Sequence, residues 1–81
     1  MQELLKDPTK RVVGTKQVLR AIAKEQAKHV FLGKDADGFI YHRINALCEE
    51  KNVPTTVVED MQTLGKLCLV GVPTASAAVL K

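Results

Sequence analysis

Short β-branched runs alternate along this chain with stretches in which hydrophobic residues recur at helical spacing. Arg11–Val13 predicts a first strand. Helical spacing over 16–27 predicts the first helix. Its apolar residues, which share one face, are Val18, Leu19, Ile22 and Ala23. The uninterrupted apolar run 29–32, closed by Gly33, predicts a strand that is buried on both faces.

The pattern over 39–51 predicts the clearest helix of the chain. Its apolar face consists of Ile40, Ile44, Leu47 and Cys48. Asn52 suits the left-handed position that follows a helix, and Pro54 prevents the helix from continuing. The β-branched run Thr55–Val58 then predicts another strand.

The last third of the chain repeats the alternation once more. Glu59 or Asp60 is expected to cap a third helix, and residues 75–80 predict a last strand of small and branched side chains. The resulting order is β-α-β-α-β-α-β. This order predicts an α/β fold with a largely parallel sheet that is covered by helices on both faces. The length supports one domain, residues 1–81.

Basic residues are concentrated in the first half of the chain. The net charge is +3. Residues 1–36 contain eight basic and four acidic side chains, whereas residues 37–81 contain four basic and five acidic ones. An anionic partner that binds the N-terminal half would explain this asymmetry, although a solvated basic face gives the same count.

Membrane and secretory signals are missing from the pattern. No apolar run approaches the roughly 20 residues that a membrane-spanning helix needs. Residues 1–8 lack the basic start and apolar stretch of a signal peptide. We therefore expect a cytoplasmic, monomeric protein that does not contact a membrane.

No catalytic constellation emerges from the motifs. The chain lacks a phosphate-binding loop, a dinucleotide fingerprint and a nucleophile elbow, and Ser76 is its only serine. Cys48 and Cys68 are isolated and fall on predicted core faces, with no metal-ligand spacing around them. We expect no cofactor, no metal and no enzymatic activity. A small enzyme that pairs one cysteine with a histidine stays an alternative.

The start of the predicted first helix carries the most informative chemistry. It opens with Gly14, Thr15, Lys16 and Gln17. Lys16, Arg20 and Lys24 recur every four residues and form a basic stripe on one face. Free N–H groups at a helix start suit phosphate, and Gln and Arg side chains can read base edges. The alternative is an ordinary helix with a solvated basic face.

An apolar loop follows the third helix. It consists of Leu69, Val70, Gly71, Val72 and Pro73. Because loops are usually polar, an exposed apolar loop suggests a contact surface, whereas valines that tuck into a small core would need no partner. The topology would place this loop near the start of the first helix, where it could shelter an unstacked base. A protein-interaction module that uses loop 69–73 is therefore an alternative function.

Several segments together resemble the kink-turn RNA-binding ribosomal proteins of the large subunit, "seven-Ae" and "thirty-e", and above all their small bacterial homologues. The resemblance runs over nearly the whole chain. The matching segments are 14–17, 34–37, 47–54, 64–68 and 77–79. It implies a three-layer α/β/α sandwich with a four-stranded mixed sheet. It also implies a non-catalytic protein that stabilises kink-turn RNA, with ribosomal RNA among the candidate partners.

The same resemblance implies which residues bind RNA. The family's Asn-Glu-x-x-Lys motif, which enters the widened major groove at the bend, reads Lys16-Gln17-x-x-Arg20 here. Gln17 lacks the charge of Glu, whereas Arg20 keeps a cation and adds a bidentate fork. Gly14 and Thr15 lie at the helix start.

The resemblance also assigns an apolar loop, and two further cations are our own candidates. The loop that covers a flipped-out nucleotide maps onto Val70, Gly71 and Val72, with Leu69 where glycine is usual and an atypical Pro73. Lys34 and Arg11 are further candidates for phosphate contacts.

Overall fold

Four strands form a single sheet in the computed structural model, which describes residues 2–81. The strands are β1 (Arg11–Val13), β2 (Ala27–Gly33), β3 (Thr55–Val58) and β4 (Ser76–Leu80). The helices are an N-terminal 3-10 helix (Gln2–Lys6), α1 (Thr15–Ala23), α2 (Gly38–Lys51) and α3 (Met61–Leu67). The β-α alternation predicted from the sequence is confirmed from β1 onward.

The sheet is mixed, with the strand order β1-β4-β2-β3. β2 and β3 run parallel, whereas β4 is antiparallel to both of its neighbours, β1 and β2. The four-stranded mixed sheet that the resemblance implied is therefore confirmed. The largely parallel sheet inferred from the alternation alone is wrong.

The direction of β4 follows from the path of the chain after α3. α3 has only seven residues. After it the chain turns back, and the Thr74 N–H donates to the carbonyl of Met61, the first residue of α3, at 3.0 Å. β4 therefore starts at the edge of the sheet where β2 and β3 end, and it runs in the opposite direction.

Two apolar clusters cover the two faces of the sheet. On one face, α1 and α2 pack Val18, Ile22, Ile44 and Cys48 against Val30, Leu32 and Ala78. On the other face, the 3-10 helix and α3 pack Leu5, Leu64 and Cys68 against Phe31, Ala77 and Val79. Neighbouring residues of β2 thus enter opposite clusters, which confirms that this strand is buried on both faces.

Each α-helix is followed within two residues by a residue with left-handed backbone. These residues are Glu25, Asn52 and Leu69, whose φ angles are 58°, 58° and 59°. The following N–H reaches back to the carbonyl five residues earlier, from Gln26 to Ala21, from Val53 to Cys48 and from Val70 to Gly65. This is the Schellman arrangement, which closes a helix by satisfying its last carbonyls. The prediction for Asn52 is confirmed.

α1 ends four residues earlier than its predicted limit at 27. The left-handed turn at Glu25 redirects the chain, so Ala27 is the first residue of β2 and is buried. The shorter helix buries Ala21 and exposes Ala23, which was expected on the apolar face.

The N-terminal 3-10 helix buries Leu5 completely. Arg11 fixes it, because its guanidinium donates from Nε to the Leu5 carbonyl at 3.0 Å and from Nη2 to the Cys68 carbonyl at 3.2 Å. A segment this short has too few apolar positions for its periodicity to be read from the sequence. No helix within residues 2–81 is long and apolar enough to cross a membrane.

Candidate nucleic-acid interface

The predicted functional segments meet at one end of the sheet, which we call the carboxyl edge: the edge where β1, β2 and β3 end and β4 begins. The Gly14 N–H donates to the Ser76 carbonyl at 3.0 Å, and the Gly33 N–H donates to the Ala75 carbonyl at 2.9 Å. The Lys34 N–H donates to the Val58 carbonyl at 2.8 Å. The start of α1, the turn that begins at Lys34 and the start of β4 therefore lie side by side.

Aspartate side chains cap the N-termini of two of the three α-helices that start at the carboxyl edge. Asp37 Oδ1 accepts from the Phe39 N–H at 2.9 Å and the Ile40 N–H at 3.4 Å at the start of α2. Asp60 Oδ1 accepts from the Thr63 N–H at 2.6 Å at the start of α3. That bond from the Thr63 backbone is the main reason why the pKa of Asp60 lies below its ordinary value. The N-terminal N–H groups of α2 and α3 are therefore already bonded to a carboxylate of the chain itself.

The start of α1 is different. Its N-cap is Gly14, which has φ 99° and no side chain to cap the helix. The first turn contains no acidic residue, and the first N–H that bonds back within the helix is that of Val18, to the Gly14 carbonyl. Among the helices described in residues 2–81, α1 alone thus presents its first N–H groups without a carboxylate. Such an end attracts anions through N–H groups and the helix dipole.

Side chains around this open end are cationic and accessible. Lys16, Gln17 and Arg20 are exposed, and Thr15 is partly buried beside them. Lys24 continues the stripe to the end of α1, and Lys34 is exposed at the end of β2. The structure therefore brings the predicted residues of α1 and Lys34 together at the carboxyl edge.

Part of loop 69–73 packs into the core and part of it is an exposed apolar surface, so each of the two interpretations of the sequence holds for some of its residues. Val70 packs against the cluster under α3, whereas Leu69 and Val72 expose 68% and 62% of their surface. The Val72 carbonyl lies directly over Gly65 of α3, and Gly71 is exposed with φ 72°.

Loop 69–73 also leads directly into the carboxyl edge. Val72 precedes Ser76, the bonding partner of Gly14, by four residues. Four residues span at most about 14 Å. The exposed part of the loop and the start of α1 therefore lie within reach of one nucleic-acid ligand.

Arg11 does not belong to this exposed group. It is partly buried, and its guanidinium is engaged with the carbonyls of Leu5 and Cys68 on the α3 side of the sheet. The contacts assign Arg11 to holding the N-terminal segment in place, so we leave it out of the candidate interface.

The thiols offer little support for the enzymatic alternative. Cys48 and Cys68 are free and buried, and burial raises the pKa of Cys48 to about 11. Burial also raises the pKa of Cys68. His29 is engaged with Thr56, with 2.7 Å between Nε2 and Oγ1. Within residues 2–81, no three His, Cys, Asp or Glu side chains come together as metal ligands.

Two features of the carboxyl edge were missed by sequence reasoning. Asp35 accepts from the Met61 N–H at 2.8 Å and so ties the turn after β2 to the start of α3, across 26 residues of sequence. Phe39, in the first turn of α2, exposes 75% of its surface. Asp37 before an apolar run was a readable capping signal. The helical spacing also left Phe39 outside the apolar face of α2, which was the signal that its ring is exposed.

Comparison with known proteins identifies the family of this chain. The family described as ribosomal protein L7Ae/L30e/S12e/Gadd45 matches residues 1–81. The chain is 42% identical over 72 residues to the RNA-binding protein YbxF of Geobacillus stearothermophilus, covering 89% of this chain and 88% of that protein. It is 34% identical over 79 residues to the RNA-binding protein BH0128 of Halalkalibacterium halodurans, covering 98% and 96%.

Solved structures agree with the sequence comparison. The 15.5kD RNA binding protein of Giardia lamblia superposes with a TM-score of 0.89 at 28% identity, over 99% of this chain and 70% of that one. A protein of unknown function from Bacillus halodurans superposes with a TM-score of 0.86 at 23% identity, over 99% and 83%, and shows the shared fold alone. This chain therefore belongs to the L7Ae/L30e/S12e/Gadd45 family of ribosomal proteins.

Proposed function

We propose that this protein is a monomeric, non-catalytic RNA-binding domain of the cytoplasm, formed by residues 1–81, which recognises and stabilises kink-turn RNA. The observation that carries the proposal is the open start of α1, where uncapped N–H groups lie beside exposed Lys16, Gln17 and Arg20. The names of its relatives, RNA-binding proteins from several bacteria, support the choice of RNA.

A bent RNA fits this helix start better than a straight one. The major groove of an A-form duplex is too narrow and deep for side chains to read. A sharp bend opens that groove, so the start of α1 can reach base edges, with Gln17 hydrogen-bonded to a guanine and Arg20 forked on a phosphate or base. Because these contacts exist only in the bent form, binding shifts the RNA toward that form.

The apolar loop would serve the nucleotide that the bend expels. Val70, Gly71 and Val72 form a backbone ridge that lacks bulky side chains at Gly71, and the exposed Val72 offers apolar surface to a base. Lys16 and Lys34 would contact phosphates on either side. Gly14 and Thr15 would let the RNA backbone approach the helix end closely.

The experiment is a binding titration with two RNAs of equal length and composition, one that contains a kink-turn and one that is fully paired. We expect clear preference for the kink-turn RNA, together with an increase in energy transfer between dyes on its two ends as it bends. Affinity should fall steeply with salt, with a slope near −0.9 per phosphate contact as on B-DNA. Equal affinity for both RNAs would refute kink-turn recognition.

Loop 69–73 also keeps a second candidate function open, a module that binds a protein. The exposed Leu69 and Val72 are the observation that favours it. A complex isolated from cells that survives nuclease and high salt would support this function. A complex that dissociates under both treatments would support RNA binding.

A further inference from the structure

Phe39 is the most exposed large hydrophobic side chain of the described residues, at 75%. The chain has only two phenylalanines, one tyrosine and no tryptophan, and the other phenylalanine, Phe31, is buried in the core. Leaving a phenyl ring in water forfeits about 1.5–3 kcal/mol of burial. The exposed Phe39 ring therefore offers apolar and π surface that a ligand can cover.

The ring stands on a fixed platform. The Phe39 N–H is bonded to Asp37, and the turn before it is held by the bond from the Ala36 N–H to the Gly33 carbonyl at 3.0 Å. Asp35 anchors the same turn to Met61. A side chain on such a platform loses little freedom on binding, since its backbone is already ordered.

Phe39 shares a face of α2 with a cleft. Arg43 lies one helical turn after Phe39, so the two side chains are neighbours on the helix surface. A cleft of about 490 Å³ opens between α2 and α1. Its apolar floor is formed by Leu19, Ala23, Ala46 and Leu47.

Two arginines line the cleft at the same depth, one from each helix. Arg20 on α1 and Arg43 on α2 both line it, and each lies five positions after the first residue of its helix, Thr15 or Gly38. Both helices start at the carboxyl edge, so both arginines lie about 7.5 Å along their helices from that edge. Glu50 lines the opposite end of the cleft and makes that end less favourable for an anion.

The nearby aspartates do not cancel this positive charge. Asp37 accepts from two N–H groups of α2, and Asp35 accepts from the Met61 N–H at the start of α3. Each carboxylate therefore interacts with the positive end of a helix dipole. Arg20 and Arg43 keep their charge available to a ligand.

We propose that this α2 face, Phe39 and Arg43 together with Arg20 across the cleft, binds one unpaired nucleotide of the RNA outside the bend. Its base stacks on the Phe39 ring, and its phosphate lies between Arg20 and Arg43. This inference rests on the proposed RNA-binding function, since Arg20 belongs to both surfaces. It adds a contact to an unpaired nucleotide outside the bend, whereas loop 69–73 contacts the nucleotide that the bend itself expels.

Base stacking on an aromatic ring tolerates any base, because every base presents a π-face. The subsite therefore distinguishes an RNA that has an unpaired nucleotide beside the bend from an RNA in which that nucleotide is paired. Selectivity arises from the availability of the base rather than from its identity.

The first test uses Phe39→Trp as a reporter, since the chain has no other tryptophan. We expect its emission to be quenched when a kink-turn RNA with an unpaired nucleotide beside the bend is titrated in. The matched control is Gln26→Trp, at an exposed neutral position that follows α1 at the opposite edge of the sheet. Its emission should stay constant. Constant emission from the Phe39→Trp variant at saturating RNA overturns the inference.

The second test measures affinity for the same RNA. Phe39→Ala should weaken binding by about 5- to 100-fold, and Phe39→Tyr should restore it. Arg43→Gln should weaken binding and reduce its salt dependence by about one phosphate contact. When the extra nucleotide is paired, all three variants should bind like the wild type. Both substituted positions, 39 and 43, are exposed, so circular dichroism is expected to show unchanged folding.

The outcomes separate the two proposals. If the wild type binds kink-turn RNA while Phe39→Ala and Arg43→Gln bind it equally well, the nucleotide subsite is wrong and the proposed function stands. If the wild type binds no RNA at all, both fail. Loss of affinity in Phe39→Ala that Phe39→Tyr restores supports the subsite.

Discussion

At the scale of single residues, the ends of the helices show how this chain accommodates residue types that disfavour left-handed backbone. The three residues with left-handed backbone are Glu25, Asn52 and Leu69. Only Asn52 is of a type that adopts this conformation readily, whereas glutamate and leucine carry a Cβ that crowds the following carbonyl. The Schellman hydrogen bonds and the packing around them hold Glu25 and Leu69 in place.

Leu69→Gly is therefore expected to stabilise the protein. Relief of the left-handed strain outweighs the added freedom of the unfolded chain and should raise the free energy of unfolding by about 0.5–1 kcal/mol. Leu69→Ala is the control, because it removes the same exposed side chain and keeps the Cβ. Urea denaturation monitored by circular dichroism measures both. A gain in Leu69→Ala equal to that in Leu69→Gly would show that strain is not the cause.

Gln17 and Arg20 belong to this scale as well. Replacement of either by alanine should weaken binding to a kink-turn duplex by about 1–3 kcal/mol, because each loses hydrogen bonds to a base or phosphate. Both side chains are exposed, so the free energy of unfolding should hardly change. Isothermal titration calorimetry gives the affinity. Wild-type affinity in both variants would remove these residues from the proposed interface.

At the scale of elements, α3 and loop 69–73 form one unit. The loop crosses α3 at Gly65, where the Val72 carbonyl leaves no room for a side chain. The Thr74 N–H then bonds to Met61 and delivers the chain to β4. The position of the exposed Val72 is therefore set by a close approach of two backbone segments.

Gly65→Ala should disrupt that close approach. The new Cβ would overlap the Val72 carbonyl, so helix and loop must separate at a cost of about 1–3 kcal/mol in the free energy of unfolding. Gly38→Ala is the matched control, because a Cβ there meets no atom within 4 Å. Thermal denaturation should show a lower midpoint for Gly65→Ala and an equal or higher one for Gly38→Ala. Equal midpoints for both variants would contradict the packing described.

The limits of the strands and helices also show which features the sequence pattern could predict. The strands Arg11–Val13 and Thr55–Val58 were predicted with their observed limits, and Asn52 marked the end of α2, because β-branching and left-handed propensity are local properties. The end of α1 was missed, since nothing about glutamate signals the left-handed turn at Glu25. The candidate residues at the start of α1 could be named in advance, because they are contiguous in sequence.

At the scale of the whole molecule, contacts between segments that are far apart in the sequence determine the features that the sequence pattern did not predict. The direction of β4 depends on the return from α3, and the bond between Asp35 and Met61 joins segments 26 residues apart. The engagement of Arg11 with Cys68, 57 residues away, likewise has no local signature. These contacts exist only once the sheet has formed, which is why sequence patterning left Arg11 among the candidate phosphate contacts.

The stability of the whole fold should depend on pH on both sides of neutrality. Burial holds the pKa of His29 below its ordinary value of 6.5, so the folded state prefers the neutral ring, and stability falls as the pH drops below 6.5. Burial raises the pKa of Cys48 to about 11 from an ordinary 9.0, so stability is lost as the pH rises above 9.0 and unfolded chains release the proton. Stability should therefore peak between these two values.

Urea denaturation across a series of pH values tests this profile. Cys48→Ala should reduce the alkaline decline, since it removes one of the two thiols whose pKa burial raises, although it lowers stability at every pH. His29→Gln should flatten the acidic side just below pH 6.5. A further loss remains below pH 3.8, the ordinary pKa of aspartate, because the pKa of folded Asp60 is held below that value. An alkaline decline that stays at its full size in the double variant Cys48→Ala/Cys68→Ala would contradict the assignment.

The central place of β4 has a consequence for how the protein is made. β4 is the last strand along the chain, yet it pairs with both β1 and β2, and β1 has no other neighbour in the sheet. During synthesis, the growing polypeptide can pair β2 with β3 but cannot bring β1 into the sheet. The Gly14 N–H, just before α1, bonds to the carbonyl of Ser76, the first residue of β4. A nascent chain can therefore complete the sheet, and with it the bond that holds Gly14, only after residues 76–80 have left the exit tunnel.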